Sequence, residues 1–394
     1  MKFNYTQFLE SISYAIDLAE IDYFKVNLNH SRRVAYISLV IAKDLKLDAE
    51  DVEDLFALAL LHDNGVTMSA IKYHKTNFEL LPEHCKIGEK NIKNLLLRKK
   101  RKNVILYHHE NYDGSGLFKK KKEEIPFLSL IISFADNLDF NFDLERLKPT
   151  ERSSVKNYIE ENKGKIFHPE ICEALLNRYN CERFWCDLKF YNKELVLNRI
   201  APKIEYDLSW KQIRELCSIF VDIIDSKSRF TYNHTKGVVK LVEMMCEYYK
   251  YQEDEKEQMI IAAYLHDLGK LYVPNEILDK PDSLNNIEFY EIKQHTYYTK
   301  LLLEKIEGFK KIAKWAANHH EKLNGKGYPE CLNVENLDLN SKIIAICDIY
   351  QALTEDRPYR KGLSKEEAYK IIKQMVDGGY ICGKVFNDFL KIIK

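Results

Sequence analysis

Apolar residues recur along most of this chain at spacings of three and four rather than in alternation, a pattern that predicts helices. After His234, the apolar positions Val238, Leu241, Val242 and Met245 fall at i+4, i+7, i+8 and i+11, and His234 lies on the same face. His30 stands in the same way ahead of Val34, Ile37 and Ile41. The segment EQMIIAAYLHDLGK reads as an apolar helix that ends on His266-Asp267, where Gly269 can break it. FKKIAKWAANHHE likewise ends on its histidines, before a loop holding Gly325, Gly327 and Pro329. SWKQIRELCSIFVDIID, just after Leu208, starts a new amphipathic helix. Strand-like alternation is scarce, although Phe184 to Val196 could form a short extended pair. The expected fold class is therefore mainly α, with minor β in a connector.

Composition narrows the function classes. A chain of 394 residues is long for one compact core, so two domains are expected. No stretch approaches the run of about 18 apolar residues that spans a membrane, and the first residues, MKFNYTQFLE, lack a secretory layout. Sixty basic and sixty acidic residues cancel, which argues against a DNA-binding protein while leaving room for a small anionic ligand. Nine scattered cysteines without a CxxC pair read as reduced thiols in a cytoplasmic protein. The basic runs Arg98 to Lys102 and Lys119 to Lys122 read as solvated surface.

Histidine carries the information. His30 and His62 are 32 residues apart, as are His234 and His266, and the second of each pair is followed by aspartate, Asp63 or Asp267. His84 to His109 spans 25 residues, and so does His295 to His320. Asp136 lies 27 residues past His109, and Asp348 lies 28 past His320. Ten of the twelve histidines enter this double pattern; only His74 and His168 stay outside. The chain reads as a duplicated domain. NKGKIFHPEICEALL echoes DGGYICGKVFNDFL, which sets expected boundaries of 1–180 for the first copy, 181–207 for a connector and 208–394 for the second copy.

A lone histidine on an apolar helix face is usually a hydrogen-bonded core residue. Five histidines and two aspartates per copy, at the inner ends of apolar helices, would cost several kcal/mol each if buried without a shared partner. A metal centre offsets that cost, and imidazole with carboxylate suits iron, manganese, zinc or nickel. Seven candidate ligands exceed the four of one tetrahedral ion and point to two cations about 3.5–4 Å apart. Such a pair activates water and clamps phosphate oxygens, so the favoured reaction is metal-assisted phosphoester hydrolysis. Asp267 and Asp63 are the natural bridging carboxylates. Lys270, one turn past His266, could place its ammonium on a phosphate oxygen.

His266-Asp267-Leu268-Gly269-Lys270, His295, His319-His320-Glu321, Gly327-Tyr328-Pro329, Asp348 and ALTEDRPYR together resemble the HD-GYP branch of the HD superfamily of metal phosphohydrolases, over residues 208–394. The resemblance implies a helical domain with a di-iron or di-manganese centre. It also implies a phosphodiesterase acting on a cyclic dinucleotide, most often cyclic di-GMP, to give the linear dinucleotide or mononucleotide. The alternative substrate is cyclic GMP-AMP or another phosphoester. Carried over by residue, the metal ligands are His234, His266, Asp267, His295, His319, His320 and Asp348. Lys270 contacts the scissile phosphate, while Gly327, Tyr328 and Pro329 shape the neighbouring loop and Arg357 or Arg360 aids ligand binding. Some members bind a third metal through a glutamate four residues before the first histidine; Phe230 stands there, so two metals are expected. Asn324 replaces an aspartate often found before the first loop glycine.

The first copy resembles the family more weakly. Counterparts of all seven ligands are present: His30, His62, Asp63, His84, His108, His109 and Asp136. The lysine becomes Val66, the GYP loop becomes Gly116-Leu117-Phe118, and ALTEDRPYR has no counterpart. Three readings stay open: a metal-holding regulatory or dimerising module that would make a homodimer, an enzyme for another phosphoester, or a metal-free relic. Losing a cation beside the transferred phosphate costs orders of magnitude in rate, which favours the first. A non-catalytic cyclic-dinucleotide sensor is the competing function for the whole chain.

Overall fold

The computed structural model describes residues 1–24, 28–68, 81–190, 193–228, 234–280, 282–356 and 361–393. Phe230, Arg357 and Arg360, assigned above to a missing third ligand and to substrate binding, lie outside the described residues. The chain divides into two compact units, residues 4–205 and residues 206–394 joined by residues 1–3. Both are helical, as the apolar spacing predicts. The one small sheet among the described residues pairs β1 (Lys2–Asn4) with β2 (Glu205–Asp207). No described helix is long and apolar enough to cross a membrane.

In the first unit, α1 (Tyr5–Phe24), α2 (His30–Asp44), α3 (Ala49–Leu60), α4 (Leu81–Asn91) and α5 (Phe127–Asn141) carry the histidine pattern. α2 lies against α1, α3 and α5, with Val34, Ile37 and Ile41 fully buried. α6 (Arg152–Asn162), α7 (Pro169–Leu176), α8 (Glu182–Lys189) and α9 (Lys193–Leu197) complete it. The last two correct the extended pair expected at 184–196. Phe184, Trp185 and Leu188 are buried at i, i+1 and i+4 while Arg183 and Cys186 face out, a helical period that a short aromatic run disguises. Trp185 also donates its indole N–H to the Tyr179 carbonyl at 2.7 Å, which fixes the turn leading into α8.

The second unit repeats the plan in α10 (Trp210–Asp225), α11 (His234–Tyr248), α12 (Glu253–Leu265), the short α13 (Asn275–Leu278), α14 (Asn286–Glu304), α15 (Lys310–Ala317), α16 (Leu339–Thr354), α17 (Lys365–Asp377) and α18 (Gly383–Ile392). Side-chain caps start several of them. Ser209 with Gln212, Asn285 with Glu288 and Ser364 with Glu367 form capping boxes, and Asp338 accepts from Ser341 N–H at 2.9 Å. α11 packs on α12 and α16, and α14 on α15, so the ends of α11, α12 and α15 and the middles of α14 and α16 converge.

The first basic run is less free than a solvated surface. Arg98 pairs with Glu53, Lys99 with Asp48 and Asp51 at 2.7 Å, and Arg101 with Asp51 and Asp54, all acids at the start of α3.

Candidate metal centres

Local sequence sets each donor of the second unit. His234 opens α11, and His266-Asp267 follow the last residue of α12. His295 sits mid-α14, His319-His320 lie in a tight turn after α15, and Asp348 sits mid-α16. Two close approaches force glycine into this geometry. A Cβ on Gly269 would stand 2.0 Å from the His295 carbonyl oxygen, and one on Gly327 would stand 2.4 Å from Glu321 Cα. The first unit repeats both, with Gly65 2.2 Å from the His84 carbonyl oxygen and Gly116 2.8 Å from Glu110 Cα.

The structure brings all seven predicted residues of the second unit together. His234, His266 and Asp348 offer donor atoms within 4.8 Å of one another; so do His266, Asp267 and His319, and also His295, His319 and His320. Asp267 stands between the groups. Its Oδ2 faces His266 Nε2 at 3.3 Å, and its Oδ1 faces His295 Nε2 at 3.6 Å and His319 Nε2 at 3.9 Å. A carboxylate with one oxygen toward each group is placed to bridge two cations.

Backbone carbonyls fix the imidazoles. His266 Nδ1 lies 2.8 Å from Ala263 O, His295 Nδ1 2.6 Å from Ile292 O, and His319 Nδ1 2.7 Å from Ala316 O. A carbonyl only accepts, so each Nδ1 carries a proton, and in the neutral ring each Nε2 turns its lone pair to the centre. Burial, against Asp267 but aided by His320 and Lys270, lowers His295 to about 3, and burial likewise lowers His319 and His320. They are neutral imidazoles, the form that ligates metal. His234 differs: Nε2 meets Asp348 at 2.9 Å and Nδ1 meets Glu355 at 3.1 Å. Burial opposes its charge, but those two carboxylates outweigh it and raise His234 to about 9.

His266 Nε2 and Asp267 Oδ1 are buried without a hydrogen-bond partner. Orphaned polar atoms of this kind cost about 1–3 kcal/mol each, and a cation between them removes that penalty. The donor set therefore fits divalent metal.

Lys270 reaches the rim of the centre, its Nζ 2.5 Å from Asp267 Oδ2 and its side chain 21% exposed. Tyr328 lies over His320 with ring centroids 5.0 Å apart, and Phe289 stands edge-on to Tyr328 at 6.4 Å. Beyond them opens a cavity of about 550 Å³ lined by Phe289, Tyr290, Tyr297, Tyr298, Gln294, Cys331, Lys293, Lys322, Lys326 and the Gly327-Tyr328-Pro329 loop. Glu321 accepts from Glu330 N–H at 2.7 Å and Leu332 N–H at 2.9 Å, clamping that loop. Asn324 accepts from Lys326 N–H at 3.1 Å, as Asp113 does from Ser115 N–H at 2.9 Å, so the exchange of aspartate for asparagine keeps the turn.

The first unit gathers its seven residues in the same way. Asp63 Oδ2 faces His62 Nε2 at 3.1 Å, and Oδ1 faces His84 Nε2 at 3.2 Å and His108 Nε2 at 3.5 Å. Asp136 lies 3.2 Å from His30 Nε2 and 3.5 Å from His109 Nδ1. His62 Nε2 and Asp63 Oδ1 are again buried without a hydrogen-bond partner. Glu110 clamps its loop through Phe118 and Lys120 N–H groups, both at 2.6 Å. The rim is different: Val66 is buried, and Leu117 is exposed where the second unit has Tyr328.

Three residues that touch the candidate donors escaped the sequence reading. Glu355 and Asp139 orient His234 and His30, the latter through a 2.7 Å contact to Nδ1 while Arg33 Nη2 holds the same carboxylate oxygen at 2.9 Å. The signal for Asp139 was available, since it follows Asp136 by three residues on one face of α5, whereas Glu355 is the extended residue just past the end of α16. Cys85 is the third, one residue past His84, with Sγ 3.7 Å from His84 Nε2.

Residues 27–141 and 218–384 each match the HD domain family. This chain is a tandem HD-domain protein. The 3'3'-cGAMP-specific phosphodiesterase 1 of Vibrio cholerae serotype O1 is 29% identical to it over 98% of this chain and 90% of its own length. A cyclic di-GMP phosphodiesterase of Pseudomonas aeruginosa is 31% identical over 43% of this chain and 41% of its own length. A crystal structure of a cyclic GMP-AMP specific phosphodiesterase of V. cholerae covers all of the HD-domain chain, with a TM-score of 0.70 at 23% identity, and shares its fold.

Proposed function

We propose that this tandem HD-domain protein is a metal-dependent phosphodiesterase of cyclic dinucleotides and that its second unit performs the reaction. The observation that carries the reading is Asp267, set between two imidazole groups with an orphaned oxygen and flanked by Lys270. His234, His266 and Asp348 would hold one divalent cation, His295, His319 and His320 the other, and Asp267 both. Iron or manganese suits these nitrogen and oxygen donors best, with zinc and nickel as competitors. Bound there, a cation pair supplies Lewis acidity to a phosphoryl group and lowers the pKa of water.

The chain's own residues do the rest. Lys270 offers its ammonium to a phosphate oxygen as charge builds in the transition state. Tyr328 presents a ring beside His320, and the cleft beyond it pairs aromatic faces with three lysines, a lining that accepts stacked bases and a phosphodiester backbone. Glu321 keeps the Gly327-Tyr328-Pro329 loop against the centre. The first unit keeps a donor set without that lysine or ring, and serves as a regulatory or dimerising module.

Cyclic di-GMP is the substrate implied by the intact second-unit signature. A second reading, 3'3'-cGAMP, is favoured by one observation: the relative that aligns along both units is named for that substrate. Protein loaded anaerobically with Fe(II) or with Mn(II) is assayed on both nucleotides side by side, with products resolved chromatographically. The combined change His266→Ala and Asp267→Ala should lower metal content by the second unit's share and abolish turnover. Lys270→Val should cut kcat by about 10²–10³-fold while leaving metal content unchanged. Turnover that persists in the double variant overturns the proposal, and tight nucleotide binding without hydrolysis by the loaded protein would favour a sensor instead.

A further inference from the structure

We infer that the outer face of α4 and residues 98–102 of the first unit form a binding site for a ligand that carries a chain of phosphates. The two segments wall a cavity of about 750 Å³, within the size range of small-molecule sites. Lys86 and Lys90 on α4 and Lys93 in the turn just past it follow one another at helical spacing, and all three are exposed. Lys100 and Lys102, also exposed, line the same cavity from the second segment.

The plainer reading of such a run is solvated surface. Two observations weigh against it. The first is that the run is pinned. The backbone N–H groups of Arg98 and Lys99 donate to Asp54 at 2.6 and 3.1 Å, and the side chains of Arg98, Lys99 and Arg101 are taken up by acids at the start of α3. Just past it, Glu89 accepts from the N–H groups of Asn103, Ile105 and Leu106. Lys86 keeps Glu83 at 2.7 Å, whereas Lys90, Lys93, Lys100 and Lys102 have no hydrogen-bond or ion-pair partner among the described residues. Four unpaired ammonium groups held around one cavity repel one another, and an anion that bridges them relieves that repulsion. The second observation is that the shared fold does not require these lysines. Counted from His84 and His295, α14 carries Tyr297, Leu301 and Glu304 where the first unit has Lys86, Lys90 and Lys93.

The lining selects the ligand. Lysine is a compact point charge suited to phosphate oxygens. No aromatic side chain lines the cavity, so it offers no stacking platform for successive bases. The chain's sixty basic and sixty acidic residues also lack the excess of a nucleic-acid binder. Phosphates are therefore the recognised part, as an inorganic polyphosphate or as the tail of a nucleoside polyphosphate. His84 is buried on the same α4, and residues 98–102 lead on to His108. A ligand across the two segments would tie together two carriers of first-centre donors, which is what an effector site does. The inference stands whether or not the second unit hydrolyses cyclic dinucleotides.

The test is isothermal titration calorimetry of the chelator-treated full chain at physiological salt, with inorganic tripolyphosphate and GTP as probes. Expected is a binding event that Lys90→Gln, Lys100→Gln and Lys102→Gln together weaken roughly tenfold or more, with thermal unfolding unchanged. Equal affinities assign the site to the phosphate chain alone, and tighter binding of GTP assigns it to a nucleoside polyphosphate; either supports the site. No binding of either probe, or binding that the triple variant leaves unchanged, overturns the inference. So does capture of an oligonucleotide or of anionic phospholipid vesicles with tripolyphosphate ignored. Should the triple variant fail to fold, acetic anhydride footprinting of the unaltered protein decides. Protection of Lys90, Lys93, Lys100 and Lys102 by tripolyphosphate supports the site, and equal labelling with and without it refutes it.

Discussion

Replacing Gly269 by alanine tests how tightly the second centre is held. The added Cβ would stand 2.0 Å from the His295 carbonyl oxygen and 2.8 Å from Thr299 N, both backbone atoms in the middle of α14. Ordinary contact begins near 3.4 Å, so α14 must retreat by 3.4 − 2.0, about 1.4 Å, at the turn that carries His295. Metal–ligand distances tolerate about 0.2 Å, so this movement takes His295 out of its group. It also pulls on a latch, since Thr299 Oγ1 accepts from Gly269 N–H at 2.9 Å and donates to the His266 carbonyl at 3.1 Å. Overpacking costs about 1–3 kcal/mol and a strained hydrogen bond about 1 more. Equilibrium urea unfolding of chelator-treated Gly269→Ala should show a loss of about 2–4 kcal/mol. Elemental analysis of the reloaded, dialysed protein should show less metal per chain than the unaltered protein. Gly383→Ala, whose Cβ would meet only the Val376 Cγ1 atom at 3.1 Å, is the control and should change neither. Wild-type metal content with unchanged stability in Gly269→Ala would mean that α14 yields freely and that the steric argument is wrong.

Two further predictions concern protons and orientation. Glu355→Gln removes the carboxylate facing His234 Nδ1 and should weaken metal binding about 10–100-fold in chelator competition with little change in folding stability; unchanged affinity would remove Glu355 from the centre. Metal-free protein should lose stability as pH falls from about 6.5 to 4, because burial keeps His295, His319 and His320 neutral in the folded unit while the unfolded chain binds their protons. The slope is about 1.4 kcal/mol per pH unit for each such histidine. His234, raised to about 9, and His266, also raised, are protonated in both states over that window; their contribution is lost instead as pH rises above about 6.5. Hydrogen exchange of α14 amides across the acid window measures the slope, and a flat profile contradicts the assignment of neutral imidazoles.

The helices and the duplication were legible because both are written in spacing. Apolar residues at helical period announce one, and equal intervals between histidines announce the other. The convergence of the fourteen candidate donors was legible for the same reason, each standing at a helix end or on an apolar face. What spacing hides is the return of the chain upon itself. Arg98, Lys99 and Arg101 meet acids more than forty residues earlier, so the run looked merely solvated. Cys85 follows His84 directly, and adjacent helical residues normally diverge, so its sulfur seemed unrelated to the histidines. Only the loop that carries His108 back beside α4 brings them together. Phe184 to Val196 misled because a short aromatic run fits strand and helix alike.

The two units differ in a way that separates holding a cation from using one. Glycines 65 and 269, glutamates 110 and 321, and glycines 116 and 327 do the same jobs in both: they admit a close helix and pin a loop. Those residues preserve donor geometry, and the orphaned His62 Nε2 and Asp63 Oδ1 match the orphaned His266 Nε2 and Asp267 Oδ1. A metal-free relic would carry that desolvation cost with nothing to offset it, which argues for a cation in the first unit as well. The exchanges fall elsewhere, at the rim where substrate would approach. Val66 for Lys270 removes the cation that would meet a phosphate, and Leu117 for Tyr328 removes the ring beside the last histidine. Each alone would be a minor change, but both push in one direction, away from a rim that can take a phosphodiester.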